Sequence, residues 1–123
     1  MVPRSAARDA IGEILEAIAA DGQGSFLTVL KEFGEAQSPG LLSFPMAGTT
    51  LAVDFPNRGE RTLRLLDALD GIVAAAGGRI YAAKDGRASA DMLARGYPEL
   101  ETFRTYVDPS FSSTFWRRSA GTR

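Results

Sequence analysis

Histidine and cysteine are both absent from this sequence. Without cysteine there are no disulfides, no thiolate zinc sites and no thiol nucleophile, a usage that suits a reducing cytoplasm. Without histidine there is no imidazole base for a Ser-His-Asp triad, no imidazole metal ligand, and no side chain that titrates near neutrality at its ordinary pKa. Most hydrolase mechanisms are thereby excluded. A charge excess of either sign is lacking too: 14 basic residues stand against 15 acidic ones, for a formal charge of −1. No global positive field would gather nucleic acid or anionic lipid. No apolar run approaches the roughly 20 residues of a membrane span, and the N-terminus carries no signal-peptide core. The expectation is a soluble, cytoplasmic protein. Asp54, Asp67, Asp70, Asp85 and Asp91 show no metal-ligand spacing. No GxGxxG or Walker loop follows a strand, so no phosphate cradle is expected.

What the sequence does contain is enough for one core. With 123 residues, 45% hydrophobic and 24% charged, a single domain over residues 1–123 would bury roughly two-thirds of its unfolded surface. Ile11, Ile14, Leu15 and Ile18 recur at helical spacing within residues 5–20, and Gly22 and Gly24 supply a stop. Residues 25–33 (SFLTVLKEF) are apolar on both parities and predict an inner strand. Residues 34–48 hold two prolines and several glycines among apolar residues, as expected of a long ordered loop. Residues 49–55 alternate as a strand, with Leu51, Val53 and Phe55 on one side and Thr50, Ala52 and Asp54 on the other. Leu63, Leu66, Leu69, Ile72, Val73 and Ala76 mark a helix over 59–76, closed by Gly77 and Gly78 before a short strand over 79–82. Ser89 is placed to cap a helix to about Arg95, and Pro98 to open another reaching Val107. The tail from Asp108 reads as turns anchored by Phe111, Phe115 and Trp116, with residues 117–123 loose. The order helix, strand, strand, helix, strand predicts an α+β fold: a ferredoxin-like antiparallel sheet with helices on one face, lacking its first strand. Such a sheet keeps an unpaired edge that invites a second chain or a copy of itself.

Two places could carry chemistry. Lys31 and Phe33 project from one face of an apolar strand, where a cation and a ring could line a pocket; the plainer account is a lysine reaching solvent and a core phenylalanine. The segment GGRIYAAKDGR (77–87) sets the Tyr81 hydroxyl and the Lys84 amine where a strand runs out into a turn. The plainer account is an ordinary strand end, with Lys84 paired to Asp85 in solvent. The residues alone give a ligand-binding α+β domain.

Three blocks are more specific than their periodicity: SFLTVLKEFG (25–34), LLSFPMAGTTLAVDFPNRG (41–59) and GGRIYAAKDGR (77–87), followed by YPEL (97–100) and VDP (107–109). In this order they resemble the C-terminal domain of bacterial FAD-linked oxidases of the vanillyl-alcohol-oxidase superfamily. The resemblance is closest to the decaprenylphosphoryl-ribose-oxidase-like branch, with sugar-lactone-oxidase-like proteins as more distant kin. It implies a sheet laid over a flavin ring, with a sugar or polyol held between them and oxidised at a CH–OH group. By position, Lys84 matches a lysine near flavin and substrate and is the implied catalytic residue. Tyr81 matches a flavin-contacting tyrosine, so Tyr81 and Lys84 are the implied cofactor contacts. Lys31, Phe33 and Thr50 match substrate-pocket positions. Thr50 stands where close members carry asparagine and Ala52 where they carry cysteine, which points to a different or smaller substrate, since a hydroxyl replaces an amide. The resemblance further implies that FAD binds only together with a flavin-binding domain, in cis or in trans, whose residues this sequence does not contain. The isolated chain is expected to be inactive and to form homo-oligomers. The competing expectation is a stand-alone, non-catalytic ferredoxin-like module that binds a ligand or itself.

Overall fold

The computed structural model describes residues 1–84 and 87–121. Strand β1 (Val2–Pro3) leads into helix α1 (Ala7–Asp21), then come strands β2 (Thr28–Phe33) and β3 (Gly48–Val53), helix α2 (Glu60–Ala75), a 3-10 turn (Ala82–Lys84), helices α3 (Ala90–Gly96) and α4 (Leu100–Arg104), and a π-helical turn (Trp116–Gly121). The architecture is α+β, with a three-stranded antiparallel sheet in the order β1-β3-β2.

The two long helices form where the apolar spacing places them. Gly22 adopts φ 69° and returns its N–H to the end of α1, and Gly77 does the same after α2 at φ 69°. The helices pack on each other, and α1 also lies on β1 and β3. Val2, Ala10, Ile14, Val73 and Met92 make the main core, joined by Leu51 from β3. Ser89 caps α3 as expected, its hydroxyl accepting the Met92 amide at 3.1 Å. A second cluster of Leu93, Tyr97, Leu100 and Ala120 holds α3, α4 and the C-terminal turn together.

Several expectations are corrected. The first strand is present, though only two residues long. β2 is an edge strand rather than an inner one among the described residues, and its Leu30 is exposed, as are Phe26 and Leu27 just before it. Among the described residues there is no strand at 79–82. Arg79 alone pairs, donating to the Met1 carbonyl at 2.9 Å and accepting from the Met1 amino group at 3.0 Å, after which the chain turns into the 3-10 segment. The fourth helix is shorter than expected, Phe111 is exposed rather than anchoring, and residues 116–121 are seated, with Ser119 and Ala120 fully buried.

These departures share one geometric consequence. β3 pairs with β2 along six residues, Thr28↔Val53 to Phe33↔Gly48, but with β1 only at Val2↔Thr49 and Pro3↔Gly48. Arg79 sits on the far side of β1. Three adjacent backbones therefore span about 10 Å at this level, two strand spacings.

Candidate functional site

A cavity of about 720 Å³, within the usual size range of small-molecule sites, is lined by residues of β2, β3, the two long helices and the segment after Arg79. Its walls include Ile14, Leu69 and Val73 of the helices below, and Lys31, Thr50 and Tyr81 above.

The antiparallel register explains what faces the upper part. Thr50 lies directly across from Lys31, Ala52 from Val29, and Gly48 from Phe33, and paired residues share a face. Lys31, Phe33 and Thr50 are thus one surface. The turn after Arg79 brings Tyr81 and Lys84 to the same cavity, so all five residues expected from the sequence converge on it. The Tyr81 ring is 48% exposed and tilts against Phe44 at 4.9 Å. This contact brings in the loop before β3, whose Ser43 carbonyl accepts from the Arg79 guanidinium at 3.1 Å.

Sequence reasoning missed one signal that composition holds. Lys31 and Lys84 are the only lysines in the chain, against twelve arginines, and both line this cavity. Neither ammonium takes part in an ion pair among the described residues; the ion pairs found there are all made by arginine. The expected partner of Lys84, Asp85, lies outside the described residues. A lysine ammonium is a compact charge on a flexible stem, suited to following a ligand. The third amine of the chain, on Met1, lines the same cavity. Burial, and then the nearby Arg79 charge, lower its pKa to about 6.

Two carboxylates, Asp54 and Asp70, also border the cavity. Asp70 is engaged by Arg87 at 2.7 Å, and the same guanidinium holds Asp67 at 2.7 Å. This fork ties the chain just beyond the Lys84 turn to α2, a role for Arg87 that its place in the sequence did not reveal. No group of histidine, cysteine or carboxylate side chains among the described residues could hold a metal, and no helix there is long and apolar enough to cross a membrane. The site thus combines an apolar floor, an exposed aromatic face and two mobile cations. It can cover a flat ring and place positive charge beside it.

No family model matches the chain. Over 115 residues it is 41% identical to an uncharacterized protein in the mprA 5′ region of Streptomyces coelicolor, covering 89% of this chain and 31% of that protein. Over 124 residues it is 37% identical to the decaprenylphosphoryl-beta-D-ribose oxidase of Mycolicibacterium smegmatis, covering 96% of this chain and 26% of that enzyme. The chain is therefore homologous to part of an oxidase, and spans between about a quarter and a third of the length of these relatives.

Proposed function

We propose that this chain is the C-terminal, substrate-covering domain of an FAD-dependent oxidoreductase that acts on CH–OH groups of a sugar or polyol. The single observation that carries this reading is the convergence of Lys31, Phe33, Thr50, Tyr81 and Lys84 on one cavity, in a chain homologous along nearly its whole length to part of an oxidase. The order Arg79, β1, β3, β2 across the sheet matches the 4-1-3-2 order of a ferredoxin-like fold, with the fourth strand reduced to one pairing. That agreement supports the ferredoxin-like reading.

The residues fit one face of a flavin and no more of it. Tyr81 offers an exposed ring, and Lys84 a cation that has no ion-pair partner among the described residues. A flavin-binding domain, in cis or in trans, is the partner this division requires. When bound, FAD supplies the two-electron acceptor. With it bound, Tyr81 would offer its ring as a contact surface, Lys84 would supply positive charge, and the apolar floor would exclude water. Lys31 and Thr50, side by side across the β2–β3 ladder, offer a cation and a hydroxyl to substrate oxygens, with Phe33 closing the wall.

The test combines this chain with the FAD-loaded remainder of the M. smegmatis oxidase, its matched quarter removed, and follows flavin fluorescence, complex mass and substrate oxidation. Complex formation with a change in flavin emission, weakened at least tenfold by Lys84→Ala or Tyr81→Ala, is the expected result. No complex, together with a stable homo-oligomer, would favour a second reading, a self-associating module without catalysis. The observation behind that alternative is the exposed apolar row on β2.

A further inference from the structure

Tyr97 is the largest fully buried side chain, 2% exposed, and a buried phenol needs a partner for its hydroxyl. Its Oη donates to the Ile80 carbonyl at 2.7 Å. The choice of acceptor is informative. In an extended segment, successive residues turn their backbone polar groups to opposite edges. Arg79 spends both of its groups on Met1, so Ile80 points outward, to where the next strand of a wider sheet would lie. No strand is there among the described residues. The phenol stands in its place, and Ala82, two residues on, packs on the same buried cluster.

Other contacts fix the ring from several sides. The Arg79 guanidinium lies over it, 5.3 Å from the centroid. The Tyr97 amide is bound by the Leu93 carbonyl at 3.0 Å, and its own carbonyl by the Leu100 amide at 3.0 Å. Gly96 allows the close approach: a Cβ there would lie 2.8 Å from that of Arg79. The end of α3 is thereby pressed directly on the backbone at residues 78–79.

We infer that Tyr97 is a positioning residue for the cavity, its hydroxyl replacing the missing strand neighbour and fixing the backbone that presents Tyr81 and leads into Lys84. This rests on the reading of Tyr81 and Lys84 as site residues. Its core is a mechanical statement that is testable without any ligand. The Lys84 amide bonds the Tyr81 carbonyl at 3.1 Å, so its hydrogen exchange reports whether the turn is held.

The experiment is residue-resolved hydrogen exchange on the full chain and on Tyr97→Phe, which keeps the ring and removes the bond. The expected result is exchange at Lys84 at least tenfold faster, with the α1 and α2 amides within threefold of wild type. Unchanged Lys84 exchange in a folded variant overturns the inference. Should Tyr97→Phe lose protection throughout, the wild-type protein decides. A slowly exchanging Tyr97 hydroxyl proton with a nuclear Overhauser contact to Ile80 or Tyr81 supports the inference, and absence of that contact overturns it. A further arm separates positioning from general stability by affinity for the FAD-loaded oxidase remainder. Tyr97→Phe should weaken it at least threefold, and that loss should vanish in a Tyr81→Ala, Lys84→Ala background; a loss that persists there overturns the inference. Failure of the remainder to bind wild-type chain counts against the functional reading alone, because the exchange result stands without it.

Discussion

Asp67 and Asp70 share one arginine, and their surroundings make them unequal. The Asp70 side chain is 23% exposed and Asp67 70%, while Arg87 between them is 25% exposed. Exposed pairs contribute about 0–1 kcal/mol, whereas breaking a more buried pair leaves a poorly solvated charge. Asp70→Asn should therefore destabilise by about 1–2 kcal/mol and Asp67→Asn by less than about 0.5 kcal/mol, measured by urea titration of the two variants. Equal losses would mean that the fork does not discriminate by burial. Tyr97 gives a pH dependence. Burial is the main cause of its raised pKa, only partly offset by the Ala82 backbone and the Arg79 charge. In the unfolded chain a tyrosine titrates near pH 10, so above that value the unfolded state sheds its proton first. The contribution of Tyr97 is complete below about pH 10 and is lost as pH rises through the folded-state value. Stability curves between pH 9 and 11 should slope downward for wild type and less steeply for Tyr97→Phe; identical slopes would refute the assignment.

At the scale of elements, the two long helices were legible because their apolar spacing and closing glycines agree with the packing they meet. The Ser89 cap was legible for the same reason: the chemistry is local. Strands were less so, since a strand is defined by its neighbours. β2 reads as an inner strand by its residues, yet among the described residues no strand pairs with its outer edge, and Leu30 stays exposed. Residues 79–82 read as a strand and form a single pairing, Arg79 with Met1, before the chain turns into the 3-10 segment. The C-terminal turn escaped notice because Ser119 and Ala120, which seat it, are small residues with no periodic signature. The five site residues were picked out by resemblance; periodicity alone left Lys31 and Lys84 open. The β1–β3 pairing also turns on one glycine. A Cβ on Gly48 would lie 2.1 Å from the Val2 carbonyl, a backbone atom that cannot step aside. Gly48→Ala should cost about 1–3 kcal/mol, as overpacking does, with amide protection lost first at Val2 and Thr49. A variant as stable as wild type would show that β1 pairs in some other way.

The whole molecule presents a contrast between its two sheet edges. One is capped by the Tyr97 hydroxyl. The other, β2, carries exposed Leu30, with exposed Phe26 and Leu27 just before it, and no lysine or proline shields its start as edge strands usually require. If the proposed self-association occurs, it should run through this edge: light scattering at rising concentration would show an increasing mass for wild type and a monomer for Leu30→Lys. A mass independent of that substitution would move the contact elsewhere. The distribution of amines has a different consequence. Lys31 and Lys84 are the only lysines in the sequence, and both border one cavity. An acylating dye or a carbon-13 methyl label aimed at lysines, chemistry that scatters over the surface of most proteins, would here report from a single place.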